Sequence, residues 1–161
     1  MESVSFSPDG DYLATGSQDD TVRVHNTSDW KEVEESRLTD AESSVQSISF
    51  SPDGDYLATG SRDNVIYVYD SDWSLIQTLD DGEGSTYVMY SVSFSPDGDY
   101  LASGSTDDNV YVYDANPVSL GPFGVFFNPR NPIRHQITGK EAEAQSDGRD
   151  ISDDVSISVR R

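Results

Sequence analysis

Three copies of one 24-residue phrase dominate this chain, and a chain that repeats itself so closely must fold into units that repeat too. Residues 3–26 read SVSFSPDGDYLATGSQDDTVRVHN, residues 47–70 SISFSPDGDYLATGSRDNVIYVYD, and residues 91–114 SVSFSPDGDYLASGSTDDNVYVYD. Phe6, Phe50 and Phe94 mark the register, 44 residues apart each time, and thirteen of the first fifteen positions are identical in all three copies. Agreement of this kind maintains a scaffold in which each unit stacks on the next.

Each copy reads as a β-meander. Val4 and Phe6, Ile48 and Phe50, and Val88, Tyr90, Val92 and Phe94 alternate with small or polar residues, the period-2 pattern of a strand. Ser-Pro-Asp-Gly follows, with Pro at the second and Gly at the fourth turn position, as a type I turn prefers. Asp-Tyr-Leu-Ala-Thr/Ser-Gly-Ser is a second strand. After a polar break led by Asp19, Asp63 or Asp107 comes a third, Val22–His25, Ile66–Tyr69 and Val110–Tyr113. A fourth strand fits Trp30–Leu38 and Trp73–Leu79. Nothing has the 3.6-residue spacing of a helix.

The pattern FSPDG-x-x-LA-[ST]-GS-x-D, followed by a β-branched strand ending in aromatic-Asp, resembles the WD-repeat β-propeller family over residues 3–114. FSPDG alone also suits the propeller repeats of TolB-like proteins, but the GS-x-D and Tyr-Asp elements favour WD repeats. The resemblance implies an all-β fold of three four-stranded antiparallel blades in an incomplete or open ring. The chain departs from the family at two places. The Trp-Asp pair stands as His25-Asn26, Tyr69-Asp70 and Tyr113-Asp114, and neither Thr39–Ser44 nor Asp81–Tyr87 holds the Gly-His pair expected before a first strand. The family's buried Asp–His–Ser/Thr–Trp network is therefore incomplete here. Its remaining positions are Thr15 with Asp19, Thr59 with Asp63, and Ser103 with Asp107, where each Asp is expected to hold its turn by accepting backbone N–H bonds. Gln18, Arg62 and Thr106 share one offset and differ between otherwise matching copies. The resemblance puts them on a rim used for partner contact.

Charge narrows the function classes. Thirty acidic residues against ten basic ones give a formal net charge of −20, and only 34% of the chain is hydrophobic. Such a polyanion does not attract nucleic acid or anionic membrane through general electrostatics, and no apolar run approaches the ~18 residues of a membrane span. There is no cysteine, hence no disulfide and no thiolate chemistry. Met1-Glu2 leads straight into a strand without a basic or apolar leader, from which a cytoplasmic protein is expected. Only Lys31 and Lys140 are lysine, the other eight basic residues being arginine. Abundant Asp with scarce Lys suggests adaptation to a high-salt cytoplasm, where carboxylate repulsion is screened.

The remaining reactive side chains read as structural. Asp9-Gly-Asp11, Asp53-Gly-Asp55 and Asp97-Gly-Asp99 are solvated acidic hairpins rather than calcium loops, which require six to eight oxygens in an ordered loop. His25 and His135 have no patterned partner, and Trp30 and Trp73 are expected in blade packing. Asn26-Thr27-Ser28 is an acceptor triplet for glycosylation only in a secreted protein.

Residues 1–116 hold 24 acidic and 4 basic residues, whereas 117–161 hold six of each and four prolines. The expected division is therefore a repeat region over 1–116 (about 1–44, 45–88 and 89–116) and an irregular tail over 117–161. In that tail Gly121–Phe127 is apolar enough to dock as the third blade's outer strand, and Glu141–Asp154 is expected to be disordered. The expected function is a non-catalytic scaffold or protein-interaction module without cofactor or metal, because no acid–base pair or nucleophile breaks the repetition. The rival is a fragment of a larger ligand-binding or enzymatic propeller, TolB-like or similar. Propellers close with four to eight blades, so an arc of three is expected to self-associate or to join other propeller-encoding chains.

Overall fold

Small and apolar residues alternate along each copy, and tight turns return the chain on itself, so each copy lays down antiparallel strands. The computed structural model describes residues 1–34, 36–80, 88–106, 110–115, 118–119 and 125–126. The first sheet contains β1 (Ser3–Phe6), β2 (Tyr12–Gly16) and β3 (Val22–Asn26). The second contains β4 (Val45–Phe50), β5 (Tyr56–Ser61), β6 (Ile66–Asp70) and β7 (Leu75–Leu79). The third contains β8 (Met89–Phe94), β9 (Tyr100–Ser105) and β10 (Val110–Asp114). All three sheets are sequential antiparallel meanders, and no helix occurs among the described residues. This is the expected all-β arrangement of unclosed propeller blades.

The Ser-Pro-Asp-Gly turn is built identically three times. The Gly10 N–H donates to the Ser7 carbonyl at 2.9 Å, and Gly10, Gly54 and Gly98 take φ of 79–81°, a left-handed conformation that glycine adopts without steric cost. Ser7 Oγ donates to Asp9 Oδ1 at 2.5 Å and accepts from the Tyr12 N–H at 2.9 Å. The Asp11 N–H donates to the same Asp9 oxygen at 3.0 Å. Ser51 with Asp53 and Ser95 with Asp97 repeat the pattern. The Ser7 hydroxyl and then the Asp11 amide hold the Asp9 carboxyl below its ordinary pKa, and Ser95 and Asp99 do the same for Asp97.

Because side chains alternate across a strand, each blade has a leading face toward the next copy and a trailing face toward the one before. Ala14, Val22, Val24 and Leu38 lead from the first blade into Val45, Ile48, Leu57, Tyr67 and Tyr69 of the second. Ala58, Ile66, Val68 and Leu79 lead from the second into Met89, Val92, Phe94, Leu101, Tyr111 and Tyr113 of the third. The hydrophobic core is thus two equivalent inter-blade layers. Serines on the first strands tie the blades together. Ser3 Oγ accepts from the Ile48 N–H at 3.1 Å, Ser47 Oγ from Val92 at 3.0 Å, and Ser49 Oγ from Phe94 at 3.2 Å.

Three expectations about outer strands change. Among the described residues only the second blade has a regular fourth strand, which begins at Leu75 rather than Trp73. In the first blade the described part of Trp30–Leu38 is joined to β3 by the isolated bridges His25↔Glu32 and Val22↔Leu38 and forms no regular strand. Trp30 and Leu38 lie eight positions apart where Trp73 and Leu79 lie six, so the first blade has two surplus residues in this stretch. There Ser36 Oγ donates to the Val24 carbonyl at 3.2 Å. At the third blade, Val125–Phe126 (β12) pairs with Val118–Ser119 (β11) in a separate two-stranded ladder and not with β10. The expectations for Glu141–Asp154 and the rest of 127–161 lie outside the described residues.

Close approach of the blades depends on a glycine in each second strand. A Cβ at Gly16 would sit 2.8 Å from Val45 Cγ1, and one at Gly60 would sit 3.1 Å from Val92 Cγ1. Gly16→Ala is expected to destabilise the fold by ~1–3 kcal/mol through overpacking, with Gly60→Ala toward the lower end. Chemical denaturation of each variant beside the parent checks this.

Candidate interaction surfaces

Two kinds of surface follow from this stacking: the turns between second and third strands, and the blade faces that no other described blade covers.

Gln18, Arg62 and Thr106 are all exposed at one end of the sheets. Each position also fastens the segment that enters its own blade. Gln18 Nε2 donates to Glu2 Oε1, the Arg62 N–H to the Ser44 carbonyl at 3.0 Å, and the Thr106 N–H to the Val88 carbonyl at 3.1 Å. This fastening was not legible in the sequence, because the partners share no motif. Beside Gln18, Asp19 accepts from the Thr21 hydroxyl at 2.6 Å, the Thr21 N–H at 3.3 Å and Arg23 Nη2 at 2.8 Å. The Thr21 hydroxyl is the largest of the influences that drop the Asp19 pKa well below the ordinary carboxylate range. Beside Arg62, Asp63 accepts from the Val65 N–H at 3.0 Å, the Glu42 N–H at 2.8 Å and the Tyr67 hydroxyl at 2.9 Å. Burial, and then the Asp63 bond, push the Tyr67 phenol far up; burial and the nearby Asp40 do the same for Tyr69. Asp107 lies outside the described residues.

The hydroxyls grouped with these aspartates point elsewhere. Thr15 Oγ1 donates to the Arg23 carbonyl at 3.3 Å, and Ser103 Oγ lies 3.6 Å from Met89 Sδ. Thr59 is fully buried and its Oγ1 has no hydrogen-bond partner. His25 is half-buried beneath Glu32, with Nδ1 likewise unpartnered, and His135 lies outside the described residues. No group of three or more His, Cys, Asp or Glu able to hold a metal occurs among the described residues. No helix among them is long and apolar enough to cross a membrane.

The uncovered faces show most clearly at the tryptophans. Trp73 packs edge-on against Tyr12 of the preceding blade, with ring centroids 5.3 Å apart, and against Phe50 of its own blade at 6.5 Å. Its backbone is left-handed at φ 64°, which is uncommon for a bulky residue. Trp30 has the same backbone at φ 58°, but the residue is 61% exposed, against the expectation that both tryptophans pack in blades. Two neighbours on that trailing face follow suit. Val4 is 58% exposed where Ile48 and Val92 are 6% and 5%, and Phe6 is exposed where Phe94 is buried. The third blade's leading face is open in the same way. Ser91, Ser93 and Tyr100 are exposed there, and a Cβ at Gly104 would meet nothing within 4 Å.

A family profile described as WD domain, G-beta repeat matches residues 2–26, 33–70 and 73–114. A search of curated proteins finds none that matches.

Trp73 joins two blades through aromatic packing. Trp73→Ala is expected to cost on the order of 3 kcal/mol, as aromatic truncations in packed sites do, read from denaturant unfolding.

Proposed function

Since this chain belongs to the WD-repeat family, its three repeats matching the family profile over most of their length, we propose that it is a non-catalytic scaffold that contributes blades to a larger propeller and docks a protein partner. Repeats of this family serve generally as protein-interaction modules. The observation that carries the finer reading is the pair of uncovered blade faces, Val4, Phe6 and Trp30 at one end and Tyr100 and Gly104 at the other. Apolar surface of this kind, framed by charged residues, marks a protein contact. The repeat region over 1–116 is the working unit of this proposal.

The rim of Gln18, Arg62 and Thr106 is proposed as the contact that selects the partner. All three are exposed, and they differ where the surrounding copies agree. Arg62 is one of only four basic residues in 1–116, so a partner meeting it next to Asp63 finds both signs of charge within one turn. Affinity retention with the parent chain and a Gln18→Ala/Arg62→Ala/Thr106→Ala variant tests this. A protein held by the parent and released by the variant is the expected result. Equal retention by both sets the rim aside.

The acidic surface is proposed as an adaptation to concentrated salt. Twenty-four carboxylates in the repeat region repel one another unless the Debye length is short, and it falls to ~3 Å at 1 M. The melting temperature is therefore expected to rise steadily from about 0.1 to about 3 M KCl. A flat or falling curve in thermal melts contradicts the adaptation.

A further inference from the structure

The two uncovered faces are the two halves of one interface that the chain already builds twice within itself. Resting on the scaffold reading above, we propose that the larger propeller is made by a second copy of this chain. In it, the third blade's leading face receives the first blade's trailing face of the partner, and the reverse contact closes a ring of two chains.

The internal interfaces supply the template. Where the first blade meets the second, Gly16 leaves room for Val45 and Ile48, Ser3 Oγ accepts the Ile48 N–H, and Trp73 rests on Tyr12. Where the second meets the third, Gly60 leaves room for Met89 and Val92, and Ser47 and Ser49 accept from Val92 and Phe94. The 44-residue repeat carries this set onto the open ends, with the tryptophans 43 residues apart. Gly104 faces Met1 and Val4 of the second copy, Ser91 and Ser93 accept from the N–H groups of its Val4 and Phe6, and its Trp30 rests on Tyr100.

Each of these groups stands ready in the single chain. Met1, Val4, Phe6, Trp30 and Tyr100 are the exposed large apolar residues that take these places, and the space over Gly104 is empty. Trp30 holds the left-handed backbone of Trp73 without the aromatic contact that Trp73 makes.

The contact is head-to-tail, so it closes only if the turn per chain fits the ring. Propellers have four to eight blades, and six is the multiple of three in that range. Two chains of −20 also repel, so the ring belongs to high salt, where that repulsion is screened.

The test is the mass of the full chain by light scattering at micromolar concentration in about 3 M KCl. The expected value is twice the 17.7 kDa of one chain. Gly104→Val places a side chain in the space that the second copy needs, at a position where an added Cβ meets nothing within 4 Å, and Phe6→Glu spoils the opposite face at an exposed position. Each variant alone is expected to show native circular dichroism and the mass of one chain. Their mixture is expected to recover the two-chain mass, because one intact leading face and one intact trailing face remain between them. A parent chain that is folded at the mass of one chain overturns the proposal, as does either variant remaining paired. A mixture that stays unpaired assigns any parent dimer to another surface and overturns it too. Each of these failures leaves the scaffold reading standing, because that reading falls instead if the parent chain retains no protein in the affinity experiment.

Discussion

A serine hydroxyl on one sheet can accept a backbone N–H from the next only if the two sheets come unusually close, and they come close where the facing position on the second strand is glycine or alanine. That pairing of serine with glycine or alanine governs the whole stack. Ser3 and Ser47 reach Ile48 and Val92 because Gly16 and Gly60 let Val45 and Val92 settle against bare backbone. The apolar layers then fill what remains, with Ala14 and Ala58 as the small residues on the second strands and valine or isoleucine on the third. Since backbone groups withdrawn from water must find partners, the serines satisfy first-strand donors that no neighbouring strand reaches.

Most of this fold was legible because a period-2 pattern repeated three times leaves little freedom in register. The sequence separated β1 to β6 and β8 to β10 from their turns, and it placed the glycine of each Ser-Pro-Asp-Gly turn where a left-handed backbone is required. Other features were hidden because they depend on what lies across a gap. Trp30 and Trp73 stand in matching contexts, and nothing local says that one meets Tyr12 while the other meets no ring among the described residues. The first blade's outer edge could be anticipated only by counting. Two surplus residues between Trp30 and Leu38 cannot be absorbed by a ladder that must stay in step with β3. The rim positions were found as variable letters in a constant phrase, but the bonds that fasten them to Ser44 and Val88 run through backbone atoms and leave no trace in residue type.

The acidic character divides into two populations. Asp9, Asp53 and Asp97 are structural carboxylates, each bonded to a serine two residues earlier and to the amide two residues later. Asp19 and Asp63 cap their turns in a related way and then diverge, one pairing with an arginine and the other with a tyrosine. That divergence is coupled to the faces. The first blade carries Arg23 and His25 where the later copies carry Tyr67 with Tyr69 and Tyr111 with Tyr113. Its trailing side is therefore more polar toward the rim and apolar toward β1, where Val4 and Phe6 lie.

Near-identity of the copies also sets a sorting problem during folding. The leading face of the first blade is chemically almost interchangeable with that of the second, so the third blade could settle on either one. Interaction energy barely separates these arrangements, which leaves chain connectivity to choose between them. A contact between adjacent copies closes about half the length of chain that a contact between the first and third does, a difference of only ~0.6 kcal/mol in closure entropy. Order of emergence then carries weight beyond thermodynamics: a second blade that docks before the third is synthesised removes the competing site. A protein assembled from near-identical copies of one phrase thus trades ease of construction for dependence on the direction in which it is made.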